Sequence, residues 1–177
     1  MSKIKEQLKP KKQGTYRQGY YKVRHLEKYI GDPTKIIYRS SWEYRFCKFC
    51  DDNRAVLKWS SEPFPIKYIS PLDGREHNYY IDFYMKAIRD GIERDYLVEV
   101  KPESSLHKPV FDGKQTLKRL QQFNKAAETW LVNAAKFSAA REYARTINYH
   151  FVVITEEFLF NQYGKSKAIV SEERQED

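Results

Sequence analysis

At 177 residues, 41% hydrophobic and 32% charged, the chain is long enough for one domain with a substantial core. No apolar run approaches the roughly 20 residues that a membrane helix needs, and the lysine-rich start lacks the apolar stretch of a secretory signal, so no membrane association and a cytoplasmic setting are expected. The net charge of +8 is uneven: residues 1–25 hold eight Lys or Arg against Glu6 and carry +7 of it, which predicts a nearly neutral body with either a polyanion-binding arm or a solubilising tail.

In chain order, residues 1–28 show no apolar periodicity and read as a flexible basic arm. Lys11, Lys12, Arg17, Lys22 and Arg24 are its candidate DNA-backbone contacts, with Tyr16, Tyr20 and Tyr21 interleaved and able to stack on bases. The body is expected over 29–164 and a polar tail over 165–177. Gly31-Asp32-Pro33 marks a turn into the body. Ser40 to Cys50 reads as a helix, because Trp42, Phe46, Phe49 and Cys50 form one apolar stripe; Asp51-Asp52-Asn53 ends it. Cys47 and Cys50 have C-x-x-C spacing. With no second cysteine pair for zinc and no thioredoxin-like strand ahead of them, they are expected as buried thiols.

Val56–Trp59 and Phe64–Tyr68 read as strands, the second at an edge or bend because of Pro63 and Pro65. Pro71 to Gly74 is a turn. Two apolar runs follow, Tyr79–Tyr84 and Tyr96–Lys101, joined through Arg89-Asp90-Gly91 as a β-hairpin. Pro102 ends the second, and a loop over 103–113 lies beside it. A helical pattern then spans 114–146, as one helix or as two with a break near Trp130 to Asn133. His150–Thr155 has the composition of a central strand, and Glu156 opens a short helix behind Thr155. The order α-β-β-β-α-β predicts a mixed α/β fold with a small central sheet.

The hairpin carries the chemistry. Side chains alternate along a strand, so Glu99 and Lys101 share one face while Val98 and Val100 face the opposite layer. Asp82 lies on the partner strand with Tyr80 and Tyr84, and Ile81 and Phe83 face away. In register, two carboxylates and an ammonium meet on one surface. Two carboxylates suit a hard divalent cation such as Mg²⁺, which polarises a phosphodiester and acidifies a bound water; the lysine positions that water or offsets developing charge. The plainer alternative is a same-face ion pair on a solvated strand, worth little. Charges on strands this apolar favour the catalytic reading.

Glu43 lies beside the apolar stripe of its helix and can reach toward the strands. Equally, Ser40 with Glu43 forms a capping box, which needs no catalysis. Glu62 sits just before a strand, where it either joins the acidic cluster or, the favoured reading, takes a surface position. His77 and His107 flank the site in sequence; either could contact phosphate or metal, but lone loop histidines read first as solvated. Lys114, Gln115 and Lys118 open the long helix, where basic side chains and free N–H groups favour phosphate.

These residues resemble the PD-(D/E)XK nuclease superfamily, marked by a helix acid, a strand Asp and Glu-x-Lys on the next strand. The matching positions are Glu43, Asp82, Glu99 and Lys101; the motif's proline is replaced by Ile81. More narrowly, the chain is similar to the head completion nucleases of T4-like bacteriophages. The carrying segments are Tyr29–Ser40, Trp42-Glu43, Trp59–Glu62, Asp82-Phe83-Tyr84, Leu97–Pro102 and Asn133–Ala140, so the likeness covers residues 29–160. TnsA-like transposon endonucleases share Asp-Phe-Tyr and Glu-Val-Lys-Pro more distantly. The resemblance implies a restriction-endonuclease-like α/β core and a Mg²⁺- or Mn²⁺-dependent DNA endonuclease, with Asp82, Glu99 and Glu43 as metal ligands and Lys101 orienting water. It further implies DNA processing in the host cytoplasm before tail attachment, with portal or neck proteins as partners and an association with the virion. Two rivals are a structural neck protein with dispensable catalysis and a non-catalytic DNA-binding module; the latter gains nothing from carboxylates facing a polyanion.

Overall fold

The computed structural model describes residues 18–161. Lys11, Lys12 and Arg17 and the tail from 165 onward lie outside the described residues. Strands β1 (Gly19–Tyr20) and β2 (Ile37–Tyr38) form a short antiparallel pair. Helix α1 (Ser41–Asp52) follows, then β3 (Val56–Ser61), β4 (Pro65–Ile69), β5 (Glu76–Tyr80), β6 (Phe83–Arg89) and β7 (Ile92–Val100). Helix α2 (Leu117–Thr146), β8 (His150–Ile154) and α3 (Glu156–Asn161) complete the order. Among the described residues no helix is long and apolar enough to cross a membrane.

The main sheet has the order β3-β6-β7-β8. Its first three strands are antiparallel, and β7 pairs with β8 in parallel. A parallel neighbour requires a long crossover, which α2 supplies. Among the described residues, strands β4 and β5 pair only with each other, as Pro63 before β4 and Pro65 at its start imply. The β6–β7 hairpin closes through Asp90 and Gly91, both at positive φ (54° and 75°). Asp-Gly tolerates that conformation, and the twist it imposes matches paired strands.

Two apolar layers cover the sheet. On one face Phe46, Cys47 and Cys50 of α1 pack with Trp59, Phe83, Met85, Val98 and Val100. Burying these side chains contributes about 1.5–3 kcal/mol each. On the other face a smaller cluster joins Ile66, Tyr79, Ile81 and Leu97 to Ala140 and Ala144 of α2. Both cysteines are buried free thiols, as expected.

Three expectations change. Residues 18–28 are not arm: Tyr21 and Val23 are in the core, and Asp51, fully buried, accepts hydrogen bonds from the Tyr21 hydroxyl and the Arg24 and His25 backbone N–H groups at 2.9–3.0 Å. The Lys28 ammonium donates to the carbonyls of Cys50, Asp51 and Asn53 at 2.8–3.0 Å, satisfying the otherwise unpaired end of α1. Secondly, Tyr79–Tyr84 is not one strand; it breaks at Ile81-Asp82, where the chain leaves the β4–β5 ribbon and enters the main sheet. Thirdly, β8 is the sheet's terminal strand, not a central one, and its apolar character is used by the helices over it. Of the two forms expected after the loop, the unbroken helix is found: α2 runs 30 residues, its Thr116 hydroxyl accepting from the Arg119 N–H at 3.3 Å. Only Phe137, Ala140 and Ala144 of it are buried. At about 1.5 Å per residue the helix outruns the sheet beneath it, which leaves its first half exposed.

Candidate active site

The hairpin register sets the site. Phe83 pairs with Val98, so Asp82, one residue before, lies across from Glu99, one residue after. Because Asp82 sits on the bend and not within a strand, its carboxylate turns onto β7: Oδ2 accepts the Val100 N–H at 2.8 Å. Glu62 fixes the bend from the other side, its N–H donating to the Asp82 carbonyl at 2.9 Å. The backbone N–H of Lys101 donates to the Ile154 carbonyl at 3.0 Å, so β8 holds the end of β7 in place.

Glu99 is 3% exposed and faces α2 with Leu97. Its Oε1 meets Lys101 Nζ at 2.9 Å, and its Oε2 accepts from the Tyr79 hydroxyl at 2.6 Å. Glu43 arrives from the first turn of α1. Its N–H donates to the Ser40 hydroxyl at 3.1 Å, and its Oε2 accepts the Arg39 N–H at 2.7 Å. Ser40 therefore caps the helix as expected, while the Glu43 carboxylate closes back on the Arg39 N–H, one residue before the cap; it also interacts electrostatically with Lys101 and Asp82.

The electrostatics are those of crowded like charges. Burial, then the Glu99 charge, push Asp82 well above the usual carboxylate range. Desolvation raises Glu43 as well. Burial works against the Lys101 ammonium, but the Glu99 and Asp82 carboxylates outweigh it and raise its pKa. Burial and the neighbouring Glu99 charge push the Tyr79 phenol far up, so it stays a hydrogen-bond donor.

With all groups ionised, three carboxylates against one ammonium leave the cluster two negative charges in excess. Asp82 Oδ1 also has no donor among the described residues. Hard oxygen donors, excess negative charge and a free carboxylate oxygen fit a divalent cation. Elsewhere among the described residues, His25, Asp51 and Asp52 bring their ligand atoms within 4.8 Å of one another. The chemistry there is different. Asp51 already accepts from Tyr21, Arg24 and His25, and Asp52 pairs with Arg24, so this group clasps the N-terminal segment to α1.

The remaining sequence candidates separate clearly. Arg24 belongs to that clasp, and Lys22 is exposed. His77 pairs with Asp73 at 2.9 Å in the β4–β5 turn, and His107 pairs with Glu103 at 3.3 Å. The Glu62 carboxylate pairs with the Arg39 guanidinium at the rim. Lys114 and Lys118 are exposed where α2 begins. Two neighbours of the cluster had been given no role from the sequence. Tyr79 holds Glu99; an inward tyrosine on a strand demands a partner for its hydroxyl. Lys136 of α2 places Nζ 5.5 Å and 5.6 Å from the Tyr79 and Tyr68 ring centroids. Desolvation lowers its pKa, opposed by the Glu99 charge.

Comparison with known proteins gives two findings. Residues 53–156 match the family model described as TnsA-like endonuclease N terminal. The chain is also 33% identical over 141 residues to the head completion nuclease of Enterobacteria phage T4, covering 80% of this chain and 92% of that protein.

Proposed function

This chain belongs to the TnsA-like endonuclease family, and from that premise we propose that it is a Mg²⁺- or Mn²⁺-dependent enzyme cutting DNA with Asp82, Glu99, Lys101 and Glu43. The supporting observation is the convergence of Asp82, Glu99 and Lys101 at the end of β7: Glu99 lies 2.9 Å from Lys101, and Asp82 is hydrogen-bonded to the residue between them. Asp82, Glu99 and Glu43 are the residues that would hold the ion. When bound it polarises the phosphodiester and lowers the pKa of a water.

The chain's own groups do the rest. Lys101 is kept an ammonium by Glu99 and Asp82, so it does not take up the water's proton. It orients the attacking water and offsets the negative charge that grows on phosphorus. Tyr79 and Lys101 grip the two oxygens of Glu99 and fix its orientation. One P–O bond forms to the water oxygen and one ester P–O bond breaks. The proton given up by the water ends on the leaving oxygen. Lys22, Lys114 and Lys118, with Lys11, Lys12 and Arg17, are the backbone-phosphate contacts of this reading.

The test is incubation of supercoiled plasmid with Mg²⁺ or Mn²⁺, with and without EDTA, beside Asp82→Ala and Lys101→Ala. Nicking that needs the metal and disappears in both variants is expected. Equal nicking by the variants overturns the roles. The relative's name supports a cutting step in phage head completion; our reading adds the host cytoplasm as its setting and portal or neck proteins as its partners. Supplying Glu99→Gln in place of the wild type during assembly tests this: particles that fail to mature are expected, and normal yields would leave only a structural role.

A further inference from the structure

Beyond the charged cluster, the chain folds a cavity of about 430 Å³ between the loop after Pro102 and the exposed half of α2. One wall, Ser104 to Pro109, begins three residues after Lys101. The other runs down α2 to Asn133, one helical turn before Lys136. Both walls therefore continue from the candidate active site. The volume lies within the roughly 300–1,000 Å³ of small-ligand sites.

The polar part of the lining is open to solvent, with Lys108, Gln122 and Lys125 exposed. Among the described residues no carboxylate lines the cavity. The side chains of Lys108, Gln122, Lys125 and Asn133 make no hydrogen bond or ion pair among the described residues. His107 is occupied by Glu103. Trp130, half-buried, supplies an aromatic wall. Two ammonium groups without counterions favour phosphate, two amides match the mixed donors and acceptors of a base edge, and an indole face suits stacking. A duplex is too wide to enter so small a concavity; a single base swung out of its stack fits.

We infer that this cavity is a subsite for one unstacked nucleotide of the DNA strand next to the scissile phosphate. Its base lies against Trp130, and its phosphates lie between Lys108 and Lys125. The inference rests on the endonuclease reading and deepens it, because a subsite of this kind favours DNA with unpaired nucleotides, such as ends or flaps, over intact duplex.

The experiment measures binding in EDTA, so that no cutting occurs. The probes are a fluorescein-labelled thymidine tetranucleotide and an abasic tetranucleotide with the same phosphates. For the wild type, loss of the bases weakens binding roughly tenfold, the scale of one stacked base. In Trp130→Ala that base dependence vanishes, and in Trp130→Phe most of it returns. Lys108→Met and Lys125→Met weaken both probes alike. Equal affinity of the wild type for the two probes, or a base dependence that survives Trp130→Ala, overturns the subsite. The two readings fail separately. A protein that nicks plasmid with metal but ignores the bases loses only the subsite, whereas one that reads the bases in EDTA but never cuts loses the endonuclease assignment.

Discussion

Along β7, Tyr96, Val98 and Val100 lie among Phe83, Met85 and Phe46 under α1, whereas Leu97 and Glu99 face α2. The first face is sealed and aromatic, with Trp59, Phe46 and Phe83 all at 1% exposure or less. The second has a thin apolar layer, Ile66, Ile81, Leu97 and two alanines, and then gives way to carboxylates, ammonium groups and a phenol. A two-residue period thus separates, on one strand, side chains that hold the fold from side chains that carry charge. Substitutions on the two faces are expected to fail in different assays.

The largest effect is expected on the charged face. Lys101→Ala reduces cleavage by roughly 10³-fold, the scale on which a single group stabilising transition-state charge is measured. Its melting temperature also falls, because Glu99, 3% exposed, loses its ammonium partner, but below that transition the variant stays folded and still does not cut. Steady-state cleavage beside calorimetry tests this, and a variant that loses activity only by unfolding would erase the contrast. Next comes Phe46→Ala on the sealed face, which costs about 3–5 kcal/mol of stability by opening a cavity against Phe83 and Phe49. Below its unfolding transition it still cuts at near the wild-type rate. Denaturant titration and single-turnover cleavage separate the two quantities.

A smaller effect belongs to Tyr79→Phe, which keeps the ring in its cluster and removes only the donor to Glu99 Oε2. The metal concentration for half-maximal cleavage is expected to rise about 10–100-fold, as for other groups that orient a ligand. An unchanged metal requirement would mean that Glu99 needs no second anchor.

The sequence made the sealed face legible through its periodicities: the stripe of α1, the alternation of β7 and the Asp-Gly turn all reappear in the structure. The meeting of Asp82 with Glu99 and Lys101 was readable from alternation and register, but its means was not. Period-two reasoning keeps a strand running, and only pairing with β4 on one side and with β3 and β7 on the other shows the chain changing sheets at Ile81-Asp82. The clasp was missed because Tyr21-Lys22-Val23 offers a single alternation inside a basic stretch, while its anchor, Asp51, reads as a helix end. Lys136 was hidden for a related reason. A lysine on a long amphipathic helix reads as solvated until a second layer shows which turn faces the strands.

The smallest prediction concerns what the crowded carboxylates do to stability. In metal-free protein, burial and Glu99 hold Asp82 protonated to higher pH than in the unfolded chain, where a carboxyl titrates near 3.9. A group with a raised folded pKa binds its proton more tightly when folded. Its contribution is therefore fully present below about pH 4 and is lost as pH rises through the folded value. Asp82→Asn removes that slope while an amide oxygen can still accept the Val100 N–H. In EDTA the variant should match the wild type near pH 4 and melt progressively higher toward neutrality, by about 2–4 °C for each kcal/mol of relieved charge. Divalent cation should raise the wild type and leave the variant much less changed, because binding to the folded form alone stabilises it. Melting curves that run parallel across this range would show that Asp82 is not under charge stress, and the contrast between a stabilising face and a strained, charged one would lose its thermodynamic half.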